Sequence, residues 1–185
     1  MEQNNTAVQP VKTGKAAVNY GVIFGVIMIL EFIIAYALDI NPQQNKTIGL
    51  INSILNNLIL PVLFIALACN YFKKQNGGYI KFGESLKTGV ATTVIAAAVF
   101  AVFNIVFYLI FPEAQAEILQ KVKEAQVATN PNLTAEQLKM TIKVTEMFMK
   151  PYIAFPVTII IYAFLGLIYS LLVGAIVKKE KPGTY

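Results

Sequence analysis

The sequence contains no histidine, no arginine and no tryptophan, and Cys69 is its single cysteine. The missing histidine removes the commonest metal ligand and the usual general base. One cysteine excludes an internal disulfide and a thiolate metal cluster, so we expect no metal site and no other cofactor. Without arginine there is no guanidinium fork for bidentate phosphate binding, and we expect no nucleic-acid partner. These absences favour a protein that is not an enzyme.

The chain also has few charged residues. They make up 14% of its 185 residues, and 56% of the residues are hydrophobic, whereas a soluble domain carries about 25% charged residues. This deficit is typical of a chain solvated largely by lipid, so we expect contact with a lipid bilayer. The net charge of +5 comes from lysines that lie beside apolar runs. Membrane orientation and anionic lipid are the simplest explanation for such lysines.

Four apolar runs are long enough to cross a bilayer as helices, at about residues 18–38, 48–72, 82–111 and 151–177. They predict an all-α polytopic membrane protein with four transmembrane helices in one bundle, residues 17–178. Residues 1–16 and 179–185 are predicted to be tails, the first of them mobile. The first run also resembles a signal peptide, but its length and its internal glutamate favour an uncleaved helix.

The segment 113–150 differs from the four runs, because it holds five lysines and five glutamates. Its apolar residues recur at helical spacing, which predicts a pair of amphipathic helices between membrane helices 3 and 4. Thr134 and Gln137 fit a capping box at the start of the second one. Three arrangements remain open: a solvated hairpin over the bundle, helices lying on the membrane surface, or a site for a protein partner or a second copy.

The lysines also predict an orientation. With the N-terminus in the cytoplasm, Lys12, Lys15, Lys73 and Lys74 lie on the cytoplasmic side together with the lysines of the C-terminal tail. The segment 113–150 is then extracytoplasmic, and its charges cancel. The positive-inside rule favours this topology, with both termini cytoplasmic.

Glu31 is an ionisable residue inside the first apolar run, where a charge is costly. Counted inward from the outer ends of the helices, Glu31, Asn56 and Asn104 each lie eight residues deep and Thr158 lies seven. At about 1.5 Å per residue these depths agree, roughly 10–12 Å, and they predict one polar layer.

Two interpretations of this layer remain open. In the structural one, a protonated Glu31 hydrogen-bonds the amide of Asn56, Asn57 or Asn104 and sets the helix register. In the functional one, Glu31 belongs to a proton or cation site and the amides supply ligands.

Small residues predict where the helices approach one another closely. They recur every four residues in the fourth and first runs, at Gly166, Ser170, Gly174, Gly21 and Gly25. The third run is rich in alanine and threonine, which places it in the interior of the bundle.

A motif opens the third apolar run: residues 76–87 read NGGYIKFGESLK. Glu84 and Lys87 are spaced so that they can pair on one helix face, and Glu84 suits the positive end of the helix dipole. With this motif and MFMKP at residues 147–151, the chain resembles the bacterial membrane-protein family called domain of unknown function 4199. Glu84 and Lys87 match the family motif. The resemblance implies a four-helix integral protein in the cytoplasmic (inner) membrane of Gram-negative bacteria, and it brings no catalytic residues.

The sequence therefore indicates a class of protein and leaves its activity open. The favoured function is a non-enzymatic scaffold, assembly factor or accessory subunit. The alternative is a small proton- or cation-coupled transporter or channel component that uses the layer around Glu31. A membrane enzyme acting on lipid ranks last, because no paired acidic motif for metal-assisted chemistry is present.

Overall fold

The structure is a computed structural model, and it describes residues 12–40 and 45–181. In chain order, the helices are α1 (Thr13–Ala37), α2 (Lys46–Ile54), a π-helical segment (Leu55–Ile59), α3 (Leu60–Gln75), α4 (Phe82–Ile110), α5 (Pro112–Thr129), α6 (Ala135–Met149) and α7 (Pro151–Val177). The first eleven residues of the predicted N-terminal tail and the last four of the C-terminal tail lie outside the described residues.

Four of these elements are long and apolar enough to span a membrane: α1, the continuous stretch Thr47–Gln75, α4 and α7. The predicted fold class, four transmembrane helices with a helical pair between the third and fourth, is confirmed. The prediction was wrong for residues 13–16, which belong to α1 and not to a tail. Helical hydrogen bonding continues beyond the apolar run there, and Ala16 is fully buried.

Helix α4 lies at the centre of the bundle and packs against α1, α3 and α7. Its contact surface consists of small side chains, and Thr92, Thr93, Ala96 and Ala97 are completely buried. Small residues let helix backbones approach closely, which is how membrane helices gain packing energy when lipid provides no hydrophobic drive. The predicted interior position of this helix is confirmed.

The ends of α3 and α7 and the start of α4 meet at one end of the bundle, which we call the lysine-rich end. Lys73 Nζ donates to the carbonyl of Val177 at 2.8 Å. The backbones of Ile80 and Lys179 exchange two hydrogen bonds of 2.9 Å each. Lys179 also lies over the ring of Tyr79, 5.7 Å from its centroid. The opposite end, where α4 finishes and α5 begins, is called the insert end.

Pro61 interrupts the hydrogen bonding of the second span, because proline has no N–H to donate to the carbonyl four residues earlier. That carbonyl belongs to Asn57, and it accepts a 2.6 Å hydrogen bond from the hydroxyl of Tyr169 on α7. A proline inside a membrane helix is tolerated when a neighbouring helix satisfies the freed carbonyl in this way.

Replacing Tyr169 with phenylalanine is expected to lower the free energy of unfolding by about 1 kcal/mol, because the Asn57 carbonyl loses its donor. The measurement is an SDS unfolding titration in mixed micelles, followed by far-UV circular dichroism. Pro61→Ala restores an N–H in the helix, so in that background Tyr169→Phe should cost clearly less. Equal costs in the two backgrounds would contradict this account of the hydrogen bond.

The insert is a helical hairpin in which α5 and α6 pack on each other, α5 packs on α4 and α6 packs on α7. The predicted capping box of α6 is confirmed. Gln137 Oε1 accepts from the backbone N–H of Thr134 at 2.9 Å, and Thr134 Oγ1 accepts from that of Gln137 at 3.2 Å. Helix α6 has no buried residues, so much of its surface remains available for contact.

Candidate functional site: a cavity beneath the insert

A cavity of about 390 Å³ lies at the insert end of the bundle. Its walls come from α1, from α2 with the π segment, from α4 and from α7, and Ile118 and Lys121 of α5 also line it. Its volume falls within the range of about 300–1,000 Å³ that small-molecule sites occupy. The cavity is therefore large enough to hold an organic molecule.

Glu31 and two asparagines bring polar groups into this mainly apolar cavity. The side chains of Glu31, Asn52 and Asn56 all line it, and the Glu31 carboxyl group lies within hydrogen-bonding reach of the Asn56 amide. Asn56 Nδ2 donates to the backbone and side-chain oxygens of Asn52, at 3.3 and 3.0 Å. An amide offers both a donor and an acceptor, and the Asn56 donor is directed to Asn52 in this structure.

The π-helical segment determines which asparagine faces Glu31. A π turn holds more residues than an α turn and so changes the direction in which successive side chains point. Asn56 lines the cavity, whereas Asn57 is exposed and its Nδ2 donates to the carbonyl of Ser53 at 3.1 Å. The amide beside Glu31 is thus that of Asn56.

Helix α5 is held over the cavity by two polar contacts to α1 and the residues after it. Lys121 Nζ forms an ion pair with Asp39, and the Tyr36 hydroxyl donates to Glu117 Oε2 at 3.4 Å. The hydrogen bond that Lys121 donates to Asp39 raises the pKa of Lys121 above its usual value, so this lysine stays charged at neutral pH. Polar and charged groups outside the bundle thus connect α5 with α1 and with Asp39.

The predicted polar layer is divided between two cavities. Asn104 and Thr158 line a second cavity of about 190 Å³, and Phe100 and Tyr108 line both. Asn104 Nδ2 donates to the carbonyl of Phe100 at 3.0 Å, within its own helix. The structure thus brings Glu31 together with Asn56, and Asn104 together with Thr158, while Asn57 lines neither cavity.

The motif residues Glu84 and Lys87 lie at the lysine-rich end, far along α4 from the cavity. Glu84 Oε2 accepts a 2.7 Å hydrogen bond from the backbone N–H of Lys81 and so caps the start of α4. The ion pair expected between Glu84 and Lys87 does not form within the part of the chain that the structure describes. The capping bond takes its place, because the free N–H groups of the first turn attract a carboxylate.

The small residues expected at helix contacts are all buried against α4. They are Gly21 and Gly25 on α1, and Gly166, Ser170 and Gly174 on α7. A Cβ atom added at these four glycines would come between 2.0 and 3.2 Å from the nearest atom of α4. Close approach of the backbones thus accounts for these glycines.

Aromatic residues form the largest part of the site that the sequence did not reveal. Five aromatic side chains line the main cavity: Phe32, Tyr36, Phe100, Tyr108 and Tyr162. The ring of Phe32 stands nearly perpendicular to those of Phe100 and Tyr108, with interplanar angles of 71° and 89°. The signal was present as helical spacing, since residues 32 and 36 are four apart and residues 100 and 108 are eight apart.

Potential metal ligands are scattered. Over residues 12–40 and 45–181, no three side chains of histidine, cysteine, aspartate or glutamate come together as a metal site would require. In this cavity Glu31 is the lining carboxylate and Lys121 is the lining ammonium group, together with amides, hydroxyls and rings. Lys121 is paired with Asp39, so the cavity can form hydrogen bonds and can attract a positive charge through Glu31.

The four apolar helices and the hairpin between the last two define a multi-pass α-helical membrane protein. The sequence profile of one family, described as "Protein of unknown function (DUF4199)", matches residues 19–179. The match covers most of the chain, so the protein belongs to this family, and the resemblance carried by the motifs is confirmed. No curated protein and no solved structure matches the chain significantly.

Proposed function

We propose that the protein is a non-enzymatic accessory, scaffold or assembly subunit in the cytoplasmic membrane of a Gram-negative bacterium, with both termini in the cytoplasm. The distribution of lysines supports this orientation. Lys73, Lys81 and Lys179 lie at the lysine-rich end, while the insert at the other end has equal numbers of lysines and glutamates. The positive-inside rule places the lysine-rich end in the cytoplasm.

The observation that carries the accessory role is a polar surface exposed within the second span. Ser53 and Asn57 belong to the membrane-spanning stretch Thr47–Gln75, and both side chains are exposed. Among the residues that the structure describes, Asn57 Nδ2 donates back into its own helix, to Ser53. Polar side chains at membrane depth generally face protein or a water-filled cavity. A transmembrane helix of another protein, offering polar side chains to this pair, is the occupant that we propose.

Photo-crosslinking from single cysteines tests the accessory role. In a Cys69→Ala background, a cysteine-linked photo-crosslinker is placed at Ser53 or Asn57 in native membranes. We expect discrete protein adducts from both positions. Ile51 is the matched control, because it is 60% exposed on the same helix but faces elsewhere. Adducts of equal yield at Ile51, or lipid adducts alone at Ser53 and Asn57, would overturn the proposal.

The insert offers a second contact surface outside the membrane, for a protein partner or for self-association through residues 113–150. Four exposed apolar side chains of α6 recur at helical spacing: Met140, Val144, Met147 and Phe148. Such a stripe on a helix surface is typical of an interaction site. Among the described residues, the main packing partners of α6 are α5 and α7. The exposed stripe therefore remains available to a partner, which supports the accessory role.

A second candidate function is proton- or cation-coupled transport, and one observation favours it. Glu31 lies in a membrane span and lines a cavity together with Asn52 and Asn56, and intramembrane acids often mark ion paths. The test is proton and cation flux into proteoliposomes under an imposed gradient. Flux that is lost in Glu31→Gln and retained in Glu84→Gln would support transport. Equal flux in the wild type and Glu31→Gln would exclude it.

A further inference from the structure

The aromatic walls of the main cavity and its carboxyl group together indicate what it holds. We infer that the cavity binds a lipophilic organic cation, an ammonium group on an apolar body, with Glu31 as its counter-charge and the surrounding rings as its aromatic wall. The inference concerns the site used by the second candidate function and names its ligand class. It requires binding and does not require transport.

Aromatic rings from α1, α4 and α7 line the cavity and can attract an ammonium group. A cation is attracted to the face of an aromatic ring within about 6 Å of the centroid. Phe32, Phe100 and Tyr108 line the cavity, and the edge-to-face contacts of Phe32 with the other two rings, at 6.2 and 6.4 Å between centroids, fix these rings in the wall. Tyr162 lines the same space from α7.

The charges around the cavity also favour a cation over an anion. Lys121 is the lining residue of positive charge, and its ammonium group is engaged by Asp39. Tyr36 on the cavity wall lies near two further acids, Glu113 and Glu117. The lining thus contains one acid and one lysine, and because the lysine is paired with Asp39, Glu31 is the lining charge left to attract a ligand.

The size and lining of the cavity favour an organic cation over a bare inorganic cation. A bare inorganic cation needs a tight shell of oxygen ligands, whereas this cavity has about 390 Å³ and mainly apolar walls. Pockets of this volume and lining hold organic molecules that a few polar groups orient. The apolar walls match the body of such a ligand, and the Glu31–Asn56 pair matches its charged head.

The test uses benzyltrimethylammonium and its uncharged isostere neopentylbenzene, in which carbon replaces the nitrogen. Full-length protein in nanodiscs is titrated by equilibrium dialysis, and binding to empty nanodiscs is subtracted. We expect saturable binding of the cation and no saturable binding of the isostere. Equal affinity for the two compounds, or no saturable binding of the cation, would overturn the inference.

Variants locate the site. Glu31→Gln is expected to weaken cation binding about tenfold, the usual loss for a charged partner, and Glu84→Gln at the opposite end should leave it unchanged. Tyr162→Leu should also weaken binding, whereas Tyr162→Phe, which keeps the ring, should not. If Glu31→Gln fails to fold, the comparison of Tyr162→Leu with Tyr162→Phe still tests whether the cation binds in this cavity. Unchanged affinity in both Glu31→Gln and Tyr162→Leu would contradict the assigned site.

The lipid composition of the nanodiscs distinguishes two possible sources of the ammonium group. A free amine and the headgroup of an ammonium-bearing lipid share the same chemistry. The titration is therefore repeated in nanodiscs of phosphatidylcholine and of a neutral glycolipid without nitrogen. Equal affinity supports a free amine as the natural ligand, and weaker apparent affinity in phosphatidylcholine supports a lipid headgroup. Cation binding without flux would support this inference and exclude transport. Flux without cation binding would support transport and overturn this inference.

Discussion

Replacing Gly21 with alanine is expected to lower the free energy of unfolding by about 3 kcal/mol, the upper end of the usual cost of overpacking. The added Cβ would lie 2.7 Å from the carbonyl oxygen of Thr92 and 2.8 Å from the Cβ of Ile95. Neither atom can rotate away, because one is backbone and the other is attached to it. Helix α1 must therefore move away from α4 and give up part of their contact.

Gly14 supplies the matched control for this prediction. It belongs to the same helix, and a Cβ added there meets nothing within 4 Å, so Gly14→Ala should not destabilise the protein. Both variants are measured by SDS titration in mixed micelles with far-UV circular dichroism. Similar stabilities for the two alanine variants would show that close packing of α1 on α4 is not what Gly21 provides.

The four spans could be predicted from the sequence because each is a long apolar run, and the bilayer imposes the helical conformation on such a run. The ends of the helices were predicted less accurately. Helix α1 begins at Thr13, before the predicted residue 18, because hydropathy records where lipid contact begins, whereas backbone hydrogen bonds continue into the aqueous phase. The path of α5 over the cavity depends on contacts between distant residues, such as Lys121 with Asp39. No local pattern encodes such contacts.

The candidate site could also be predicted from the sequence only in part. Glu31 could be identified because an acid in an apolar run is costly and needs a partner. The choice between Asn56 and Asn57 could not be made, since it depends on the π segment, which changes the helical phase between them. Counting depth along each helix placed Asn104 near Glu31, but depth contains no information about rotation around the helix axis. Asn104 accordingly lines the neighbouring cavity.

The contact between α7 and α4 leads to the second large effect. Gly166→Ala is expected to lower the free energy of unfolding by about 2 kcal/mol through overpacking. The new Cβ would lie 2.0 Å from Thr93 Oγ1 and 3.1 Å from Thr93 Cβ. The three atoms nearest to it all belong to this one side chain, so the strain has a single source.

Thr93→Ala removes the closest of these atoms, and the loss in the double variant Gly166→Ala/Thr93→Ala should therefore be smaller than the sum of the single losses. A double-mutant cycle by SDS titration measures this coupling, which we expect to be about 1 kcal/mol in favour of the double variant. Gly83→Ala on α4 is the control, because a Cβ added there meets nothing within 4 Å. Strictly additive losses would mean that Thr93 is not the residue that excludes a side chain at position 166. Coupling of the expected sign would show that α7 packs against α4 through a close contact at Gly166. The same packing places Tyr162 of α7 in the cavity wall beside the residues of α4.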